Sequence, residues 1–534
     1  MQLETNALYY GDNLEILRKY IPDSSIDLIY LDPPFNSNAT YNILFKELTG
    51  EPSQAQITAF DDTWHWGIES ERTFQEIIVN APVNVAELIT AFRNFIHQND
   101  MMAYLVMMCI RLLELKRVLK DTGSIYLHCD STASHYLKIL MDAIFGIRNF
   151  RNEIIWQRTG AHSDAKRWGK VTDTILFYSK GMKYNWHPQY IEYADEYIKE
   201  RYKYIDKDSG RLYWRNTMTA AGQGGARYFR GVLKEPPSGT HWRFSQEEIN
   251  RMEAEGRIYY SPSGMPYVKS FLDERQGKAV QCIWTDIVMS KSGRERLGYP
   301  TQKPEALLER IIKSSSSERD IILDPFCGCG TALVAAQKLN RQWVGIDITH
   351  LAIATMKWRL DTMFPGIEYK VIGEPKDLSS VVELAKQNKY QFQWWAVSLI
   401  GGQPYGDKKK GADTGIDGYL YFMDEKDKVK KAIISVKGGG TSVKDIRDLG
   451  HVIDREKAEI GIFITLEHPT RPMETEAVTK GFYHSPLGKD YPRIQILTIE
   501  ELLNGDKPDI PPWVAPIQAP PKHKQEKGKT AKLL

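Results

Sequence analysis

The segment Ile26 to Phe35 (IDLIYLDPPF) decides the fold of this chain. Its apolar residues predict a buried strand of a parallel sheet, and the two prolines end that strand because proline cannot donate to a ladder. Asp32 therefore follows the strand at its carboxyl edge, where α/β sheets bind ligands. A carboxylate, a carbonyl held rigid by Pro33 and Pro34, and the ring of Phe35 suit a planar amino group. The alternative is a strand that merely ends in a proline-rich turn.

A second motif predicts a cofactor site. The apolar residues 321–323 lead into Asp324-Pro325-Phe326-Cys327-Gly328-Cys329-Gly330-Thr331, and an alanine-rich helix is predicted over 332–339. The glycines allow close approach of the backbone to a ligand, and the helix presents free N–H groups there. The next predicted strand ends at Asp347, where a carboxylate usually bonds ribose hydroxyls. Because the chain has no GxGxxG at this turn, a nucleoside-like cofactor without phosphates fits better than a dinucleotide.

Together with Tyr299 to Pro304 (YPTQKP), these two motifs resemble the amino-methyltransferases of DNA that use S-adenosylmethionine. The catalytic motif comes about 290 residues before the cofactor motif, an order similar to that of the β class. The resemblance implies an α/β fold with a circularly permuted, Rossmann-like methyltransferase sheet and an inserted target recognition domain. Further segments carry it: Gly11–Leu14, Gly123–Asp130, Glu153–Trp156 and Asp173–Tyr178.

The resemblance also implies roles for individual residues. Asp32 and the Pro33 carbonyl would hold the amino hydrogens of a base flipped out of the duplex, and Phe35 would stack on it. Asp12 would lie near the adenine of the cofactor, although it is equally suited to cap the helix that begins near Leu14. The residues implied for catalysis are Asp32, Pro33, Pro34 and Phe35, and those implied for the cofactor are Asp12, Asp324, Phe326, Gly328, Gly330, Thr331, Asp347, Thr301, Lys303 and Pro304.

The first residue of the catalytic motif bears on the choice of base. In the family that the chain resembles, aspartate there accompanies mostly N6-adenine enzymes and serine leans toward N4-cytosine enzymes. Asp32 therefore favours methylation of adenine, with N4-cytosine as the alternative. The resemblance also implies that the enzyme is part of a restriction-modification or defence system. Either Asp32 or water can accept the proton that the amine loses.

Charge is distributed unevenly along the chain, although the net charge is only +2. Residues 1–150 carry 11 Lys/Arg against 19 Asp/Glu, whereas residues 151–300 carry 25 against 18 together with 23 aromatic residues. Basic side chains can neutralise phosphates and aromatic rings can stack on bases, so an insertion at 181–290 is the expected target recognition domain. The plain alternative is ordinary core and surface. Within this insertion, Thr217 to Arg230 is expected to be an irregular loop that becomes ordered when DNA binds.

The C-terminal third resembles the Mrr-like branch of the PD-(D/E)xK nucleases through residues 415–418 (GIDG) and 435–439 (SVKGG). That resemblance implies an α/β domain in which Asp417 helps to hold Mg²⁺ and Lys437 stabilises charge. The chain departs from the pattern at Ser435, where an acidic residue or glutamine is usual, and Asp413 or Gln393 are candidates for the missing oxygen. An active nuclease, a DNA-binding relic and a domain that awaits activation all stay open.

Composition and motifs also bear on the location of the protein, on its partners and on its division into domains. Five cysteines without a CxxC pair, no signal peptide and no apolar run of membrane-spanning length predict a cytoplasmic protein that does not enter membranes. Double-stranded DNA is the expected partner, a homodimer is left open, and an RNA methylase or a nucleic-acid-binding protein without activity is the remaining alternative. The predicted parts are a catalytic half (1–180), the target recognition insertion (181–290), a cofactor-binding half (291–372), a restriction-endonuclease-like domain (386–507) and a flexible Pro/Lys-rich tail (508–534).

Overall fold

A computed structural model describes residues 3–34, 40–46, 52–61, 65–160, 168–288, 302–387, 389–405, 415–425, 428–511 and 513–514. The chain forms two compact units, of which one comprises Pro188–Gln281 and the other comprises Met1–His187 together with Cys282–Leu534. The smaller unit is narrower than the insertion predicted at 181–290. Among the described residues, no helix has both the length and the apolar character needed to cross a membrane.

The N-terminal part of the larger unit contains both strands and helices. The long helix over 100–118 is almost wholly apolar in its middle and is buried there, and Asn99 caps it by accepting a bond from the Met102 N–H at 2.9 Å. The elements are β1 (Ala7–Tyr10), α1 (Asn13–Tyr20), β2 (Ile26–Leu31), β3 (Thr40–Lys46), β4 (Pro52–Asp61), α2 (Ile68–Asn80), α3 (Val83–Ile96), α4 (Asp100–Val118), β5 (Leu119–Cys129), α5 (Ser134–Phe145), β6 (Phe150–Gln157) and β7 (Thr172–Ser179).

The smaller unit is built mainly from short antiparallel strands. Its elements are β8 (Tyr190–Ile191), α6 (Asp195–Arg201), β9 (Tyr204–Ile205), β10 (Leu212–Thr217), β11 (Thr219–Ala221), β12 (Arg227–Phe229), β13 (Val232–Lys234), β14 (Thr240–Trp242), α7 (Gln246–Ala254), β15 (Ile258–Tyr260), β16 (Pro266–Phe271) and β17 (Lys278–Ala279). A four-stranded sheet has the order β15-β16-β10-β9, and the pairs β11-β14, β12-β13 and β17-β8 complete the unit.

One expectation for this region is corrected by the structure. Thr217 to Arg230 is not an irregular loop, because β11 and β12 lie within it and pair with strands further along the chain. Residues 188–281 of the smaller unit carry 15 Lys/Arg against 13 Asp/Glu, so most of the basic excess of residues 151–300 lies outside this unit. The glycines of 217–230 mask a strand pattern that only cross-strand pairing completes.

The chain then returns to the larger unit. Its next elements are β18 (Ile283–Trp284), α8 (Glu305–Ser315), β19 (Ile321–Asp324), α9 (Thr331–Lys338), β20 (Gln342–Asp347), α10 (His350–Met363) and β21 (Lys370–Ile372). These strands join those of the N-terminal part in one nine-stranded sheet of the order β18-β6-β7-β5-β2-β19-β20-β1-β21.

The order of this sheet confirms the predicted circular permutation. Strand β19 lies parallel between β2 and β20, so a late segment of the chain completes the centre of an early one. All six residues of β2 are buried, as expected for a central strand covered by helices on both faces. Strand β7 is antiparallel to both β5 and β6, whereas the strands from β5 to β21 run parallel to one another.

The C-terminal part forms a second α/β sheet with an apolar cluster on each face. Its elements are α11 (Leu378–Gln387), α12 (Lys389–Leu399), β22 (Gln403–Pro404), β23 (Gly418–Glu425), β24 (Lys428–Lys437), α13 (Val443–Glu456), β25 (Ile460–Thr465), α14 (Arg471–Thr479), β26 (Phe482–His484), β27 (Asp490–Pro492), β28 (Ile494–Thr498), α15 (Ile499–Leu503) and β29 (Trp513–Val514). The sheet order is β22-β23-β24-β25-β28, and β29 pairs with β23.

The beginning of the predicted flexible tail is ordered, which corrects that prediction. The Asp509 N–H donates to the Gln495 side chain at 2.7 Å, and β29 pairs with β23 at Phe422 and Met423. An open edge of β23 offers the backbone partners that composition alone does not reveal. Residues 515–534 of the tail lie outside the described residues.

Candidate active site

Four neighbouring strands of the large sheet end at one cavity. Strands β2, β19, β20 and β1 are parallel neighbours, so their carboxyl ends meet at one edge of the sheet. Each of these ends carries an aspartate: Asp32 after β2, Asp324 in β19, Asp347 in β20 and Asp12 after β1. All four line a cavity of ≈ 280 Å³.

Ten of the 14 residues that the sequence proposes for catalysis and for the cofactor line this cavity, and four are not among the lining residues. Phe35 and Thr301 lie outside the described residues. Gly330 and Pro304 are absent from the lining. The proposed residues that do line it are Asp12, Asp32, Pro33, Pro34, Lys303, Asp324, Phe326, Gly328, Thr331 and Asp347.

Gly330 and Pro304 instead shape the backbone beside the cavity. Gly330 has a left-handed φ of +74° as the N-cap of α9, and a Cβ there would meet the Met356 side chain at 2.7 Å. Pro304 is the N-cap of α8, and its carbonyl accepts a bond from the Leu307 N–H at 3.1 Å. Gly330 therefore affects the conformation of the turn that carries Gly328, and Pro304 affects the turn that carries Lys303.

Asp347 organises the cavity wall at the end of β20. Its Oδ1 accepts bonds from the N–H of Thr349 at 2.9 Å and from the hydroxyl of Thr349 at 2.8 Å. Its Oδ2 accepts a bond from the Gly328 N–H at 2.9 Å, which ties the glycine-rich turn to the neighbouring strand. Burial raises the pKa of the Asp347 carboxyl, although these bonds oppose the rise. One further lone pair of Oδ2 is left for a ligand hydroxyl.

The early motif holds a polar cluster that includes a residue not foreseen from the sequence. Asp12 caps α1 by accepting a bond from the Leu14 N–H at 2.7 Å, and its other oxygen pairs with Arg111 of α4 at 2.7 Å. Arg111 also bonds Asn13, whose amide donates to the Pro325 carbonyl at 2.8 Å. The cluster thus joins α1, α4 and the turn after β19. A lone arginine after the apolar run 101–110 was the available signal.

Asp32 has one engaged oxygen and one without a partner. The Lys303 ammonium bonds Oδ2, whereas Oδ1 is buried and accepts no hydrogen bond from the residues that the structure describes. Asp324, 3% exposed, accepts a bond from the Phe326 N–H at 3.1 Å. Burial, reinforced by the negative charges of Asp32 and Asp347, raises the pKa of Asp324 well above its ordinary value. The protonated, neutral form of Asp324 is therefore favoured in the empty cavity, and the ion pair of Asp32 with Lys303 lies beside it.

The nuclease-like centre in the C-terminal part has a different character. Asp417 accepts bonds from the Gln393 amide at 2.8 Å and from the Val436 N–H at 2.6 Å. Ser435 is 6% exposed, and Lys437 lies 3.8 Å from Asp445. In the part of the chain that the structure describes, no group of three or more His, Cys, Asp or Glu side chains is arranged to hold a metal ion.

Comparison with known proteins identifies both parts. The family model described as DNA methylase matches residues 26–357, which is more than half of the chain. The chain belongs to this DNA methylase family. A second family model, described as NACHT-associated inactive Restriction Endonuclease 1, matches residues 390–504. The predicted methyltransferase with a C-terminal restriction-endonuclease-like domain is thereby confirmed.

Individual relatives of this DNA methylase include a type II methyltransferase, the Mod subunit of a type III restriction-modification enzyme and a DNA adenine methyltransferase. The chain is 32% identical over 358 residues to the type II methyltransferase M.EcaI of Enterobacter cloacae, covering 66% of this chain and 69% of the relative. It is 25% identical over 355 residues to the type III StyLTI Mod subunit of Salmonella typhimurium, covering 63% and 50%. It is 24% identical over 359 residues to the DNA adenine methyltransferase YhdJ of Escherichia coli, covering 67% and 83%.

Proposed function

We propose that this DNA methylase transfers the methyl group of S-adenosylmethionine to the N6 amino group of adenine in double-stranded DNA. The buried Oδ1 of Asp32, which lacks a hydrogen-bond partner among the described residues of the cavity wall, carries this proposal. A buried acceptor without a donor costs free energy on the order of 1–3 kcal/mol, so its retention indicates a bond that a ligand completes. An amino group supplies the missing N–H.

The chemistry of the lining fits S-adenosylmethionine. Asp347 can accept a hydrogen bond from a ribose hydroxyl of the cofactor. The glycine backbone at Gly328 allows the cofactor to come close, and Phe326 offers an apolar surface for it in the cavity wall. A sulfonium is a cation, and Asp32 and Asp347 place carboxyl groups in the lining of the same cavity, where a positive charge would be favoured. When bound, the cofactor supplies an electrophilic methyl group on a positively charged sulfur.

The protein itself orients the amine that receives this methyl group. The lone pair of an aromatic amine is delocalised into the ring, so both of its hydrogens must be held to aim the nitrogen. Asp32 Oδ1 can accept one hydrogen and the Pro33 carbonyl can accept the other. A base inside a duplex cannot reach this site, so the target nucleotide leaves the stack, and positioning supplies most of the rate.

Adenine is favoured over cytosine by the aspartate at the start of the catalytic motif and by the likeness to an adenine methyltransferase. The N4 amino group of cytosine has the same pair of hydrogens and is the second candidate. The type II and type III relatives support a place in a restriction-modification system.

The identity of the methylated base tests the proposal. We expect double-stranded DNA incubated with the chain and labelled S-adenosylmethionine to yield N6-methyladenine after hydrolysis to nucleosides. The measurement is chromatography of the labelled nucleosides with mass detection. N4-methylcytosine without N6-methyladenine would replace adenine by the second candidate, and label on a ring carbon would refute amine methylation.

We further propose that the restriction-endonuclease-like domain does not cleave DNA. Both oxygens of Asp417 accept protein hydrogen bonds, and Ser435 offers a hydroxyl where a hard cation prefers a carboxylate. The described residues at this centre therefore do not fit Mg²⁺, whereas Asp413 lies outside the described residues. The matching family model is itself described as inactive.

We therefore expect no Mg²⁺-dependent nicking of supercoiled plasmid by the full chain, at a limit at least about 10³-fold below an active restriction enzyme assayed in parallel. The result should be the same for the wild type and for the Asp417→Ala and Lys437→Ala variants. Cleavage that requires Mg²⁺ and disappears in both variants would establish a single-chain restriction-modification enzyme instead.

A further inference from the structure

Lys303 makes a contact that its position in the YPTQKP segment does not explain. The resemblance implies that this lysine closes the cofactor site. In the structure its ammonium bonds Oδ2 of Asp32, a residue of the catalytic motif 271 positions away in the chain. Lys303 is only 7% exposed and lines the same cavity as Asp32.

The backbone that carries Lys303 is fixed by a buried ionic cluster. Lys303 precedes Pro304, the N-cap of α8, and Glu305 in the first turn of that helix pairs with Arg359 of α10 at 2.8 Å. Arg359 also donates to the Cys329 carbonyl at 3.0 Å, in the glycine-rich turn. The lysine stem therefore starts from a rigid position beside the cavity.

The charge of Lys303 argues against a direct role beside the sulfonium of the cofactor. An ammonium and a sulfonium are both cations and repel each other, most strongly in a dry cavity. Paired with Asp32, the ammonium is neutralised, and the pair adds no net charge next to the cofactor. The ion pair therefore stabilises the Asp32 carboxylate and contributes no attraction for the sulfonium of the cofactor.

The contact also fixes which oxygen of Asp32 is available. A carboxylate without a partner can rotate about its last side-chain bond and present either oxygen. Because Lys303 engages Oδ2, the plane of the carboxylate is held, and Oδ1 is the oxygen that has no donor in the part of the chain that the structure describes.

We propose that Lys303 is a positioning residue of the methyl transfer, which holds Asp32 so that Oδ1 accepts a hydrogen of the target amine. This inference rests on the proposed function, since it assigns Lys303 a task within the same site. It departs from the cofactor role that the sequence resemblance implies.

Substitution of Lys303 distinguishes the two roles. We expect Lys303→Met, which keeps most of the stem, to lower the single-turnover rate of methyl transfer about 10²-fold, because a carboxylate that is no longer held misplaces the amine. The dissociation constant of S-adenosylmethionine should stay within about threefold of the wild type, and Lys303→Arg should recover part of the rate. Lys313→Met in α8, the helix that follows Lys303, is the matched control, because Lys313 is half-exposed and bonds Glu309 at 3.0 Å on the helix surface.

A double substitution provides a readout that a merely structural role would not produce. If Lys303 acts through Asp32, Lys303→Met added to Asp32→Ala slows transfer no further than Asp32→Ala alone. Weaker cofactor binding in Lys303→Met with a normal rate at saturation, or additive losses in the double variant, would overturn the inference. A wild-type chain that methylates no amine while it binds S-adenosylmethionine would instead refute the proposed function.

Discussion

Replacing Asp32 with alanine is expected to lower methyl transfer to DNA at least about 10³-fold while S-adenosylmethionine still binds. The substitution removes the buried acceptor that lacks a partner, and with it the bond that orients the amine. The loss should appear in the single-turnover rate and not in cofactor affinity, because Asp32 acts only on the group that reacts. Rapid-quench measurement with labelled cofactor and equilibrium dialysis separate the two quantities.

Two further variants control this experiment. Asp121→Ala removes an aspartate that is 90% exposed and should leave both quantities unchanged. Asp32→Asn keeps the size and one acceptor oxygen but loses the charge that pairs with Lys303, so an intermediate rate is expected. A normal rate in Asp32→Ala would contradict the assignment of the target site.

Replacing Asp347 with alanine is expected to raise the dissociation constant of S-adenosylmethionine on the order of 10²-fold. Loss of a bond from a charged acceptor costs about 1.5–3 kcal/mol, and here the wall also loses its ties to Gly328 and Thr349. Calorimetric titration of the full chain measures the change. Asp361→Ala in the following helix removes an exposed aspartate that bonds Tyr369, and it should bind normally.

Unchanged cofactor affinity in Asp347→Ala would place S-adenosylmethionine elsewhere. Asp347→Asn retains an acceptor for Gly328 or Thr349 and should fall between the wild type and alanine. Folding is checked by circular dichroism and by the thermal midpoint, because the carboxylate also anchors the turn.

The strand ends were predictable because they depend on local sequence. Apolar runs that stop at Pro33 or at the Gly328 turn predict buried strands and their carboxyl edges without any long-range information. The position of β19 beside β2 could be predicted only from the resemblance to the DNA amino-methyltransferases, because strand order depends on contacts between distant segments.

The rest of the site depends on partners far apart in the chain. Arg111 reaches Asp12 across 99 residues and Lys303 reaches Asp32 across 271, and no local pattern encodes either pair. The Thr217 to Arg230 segment was misjudged for the same reason, because its strands are stabilised by pairing with later residues. Ser435, in contrast, could be recognised from the sequence as a departure from the nuclease pattern. The identity of one residue is enough to show it, because a hydroxyl is a poorer ligand for Mg²⁺ than a carboxylate.

The most direct test of the shared cavity compares single-turnover methyl transfer in the wild type, Asp32→Ala and Asp347→Ala as labelled S-adenosylmethionine is raised to saturation. We expect Asp347→Ala to recover most of the wild-type rate at high cofactor concentration, whereas Asp32→Ala stays at least about 10³-fold slower at every concentration. Recovery of Asp32→Ala at saturation would contradict the conclusion that Asp32 orients the target amine beside a cofactor held by Asp347.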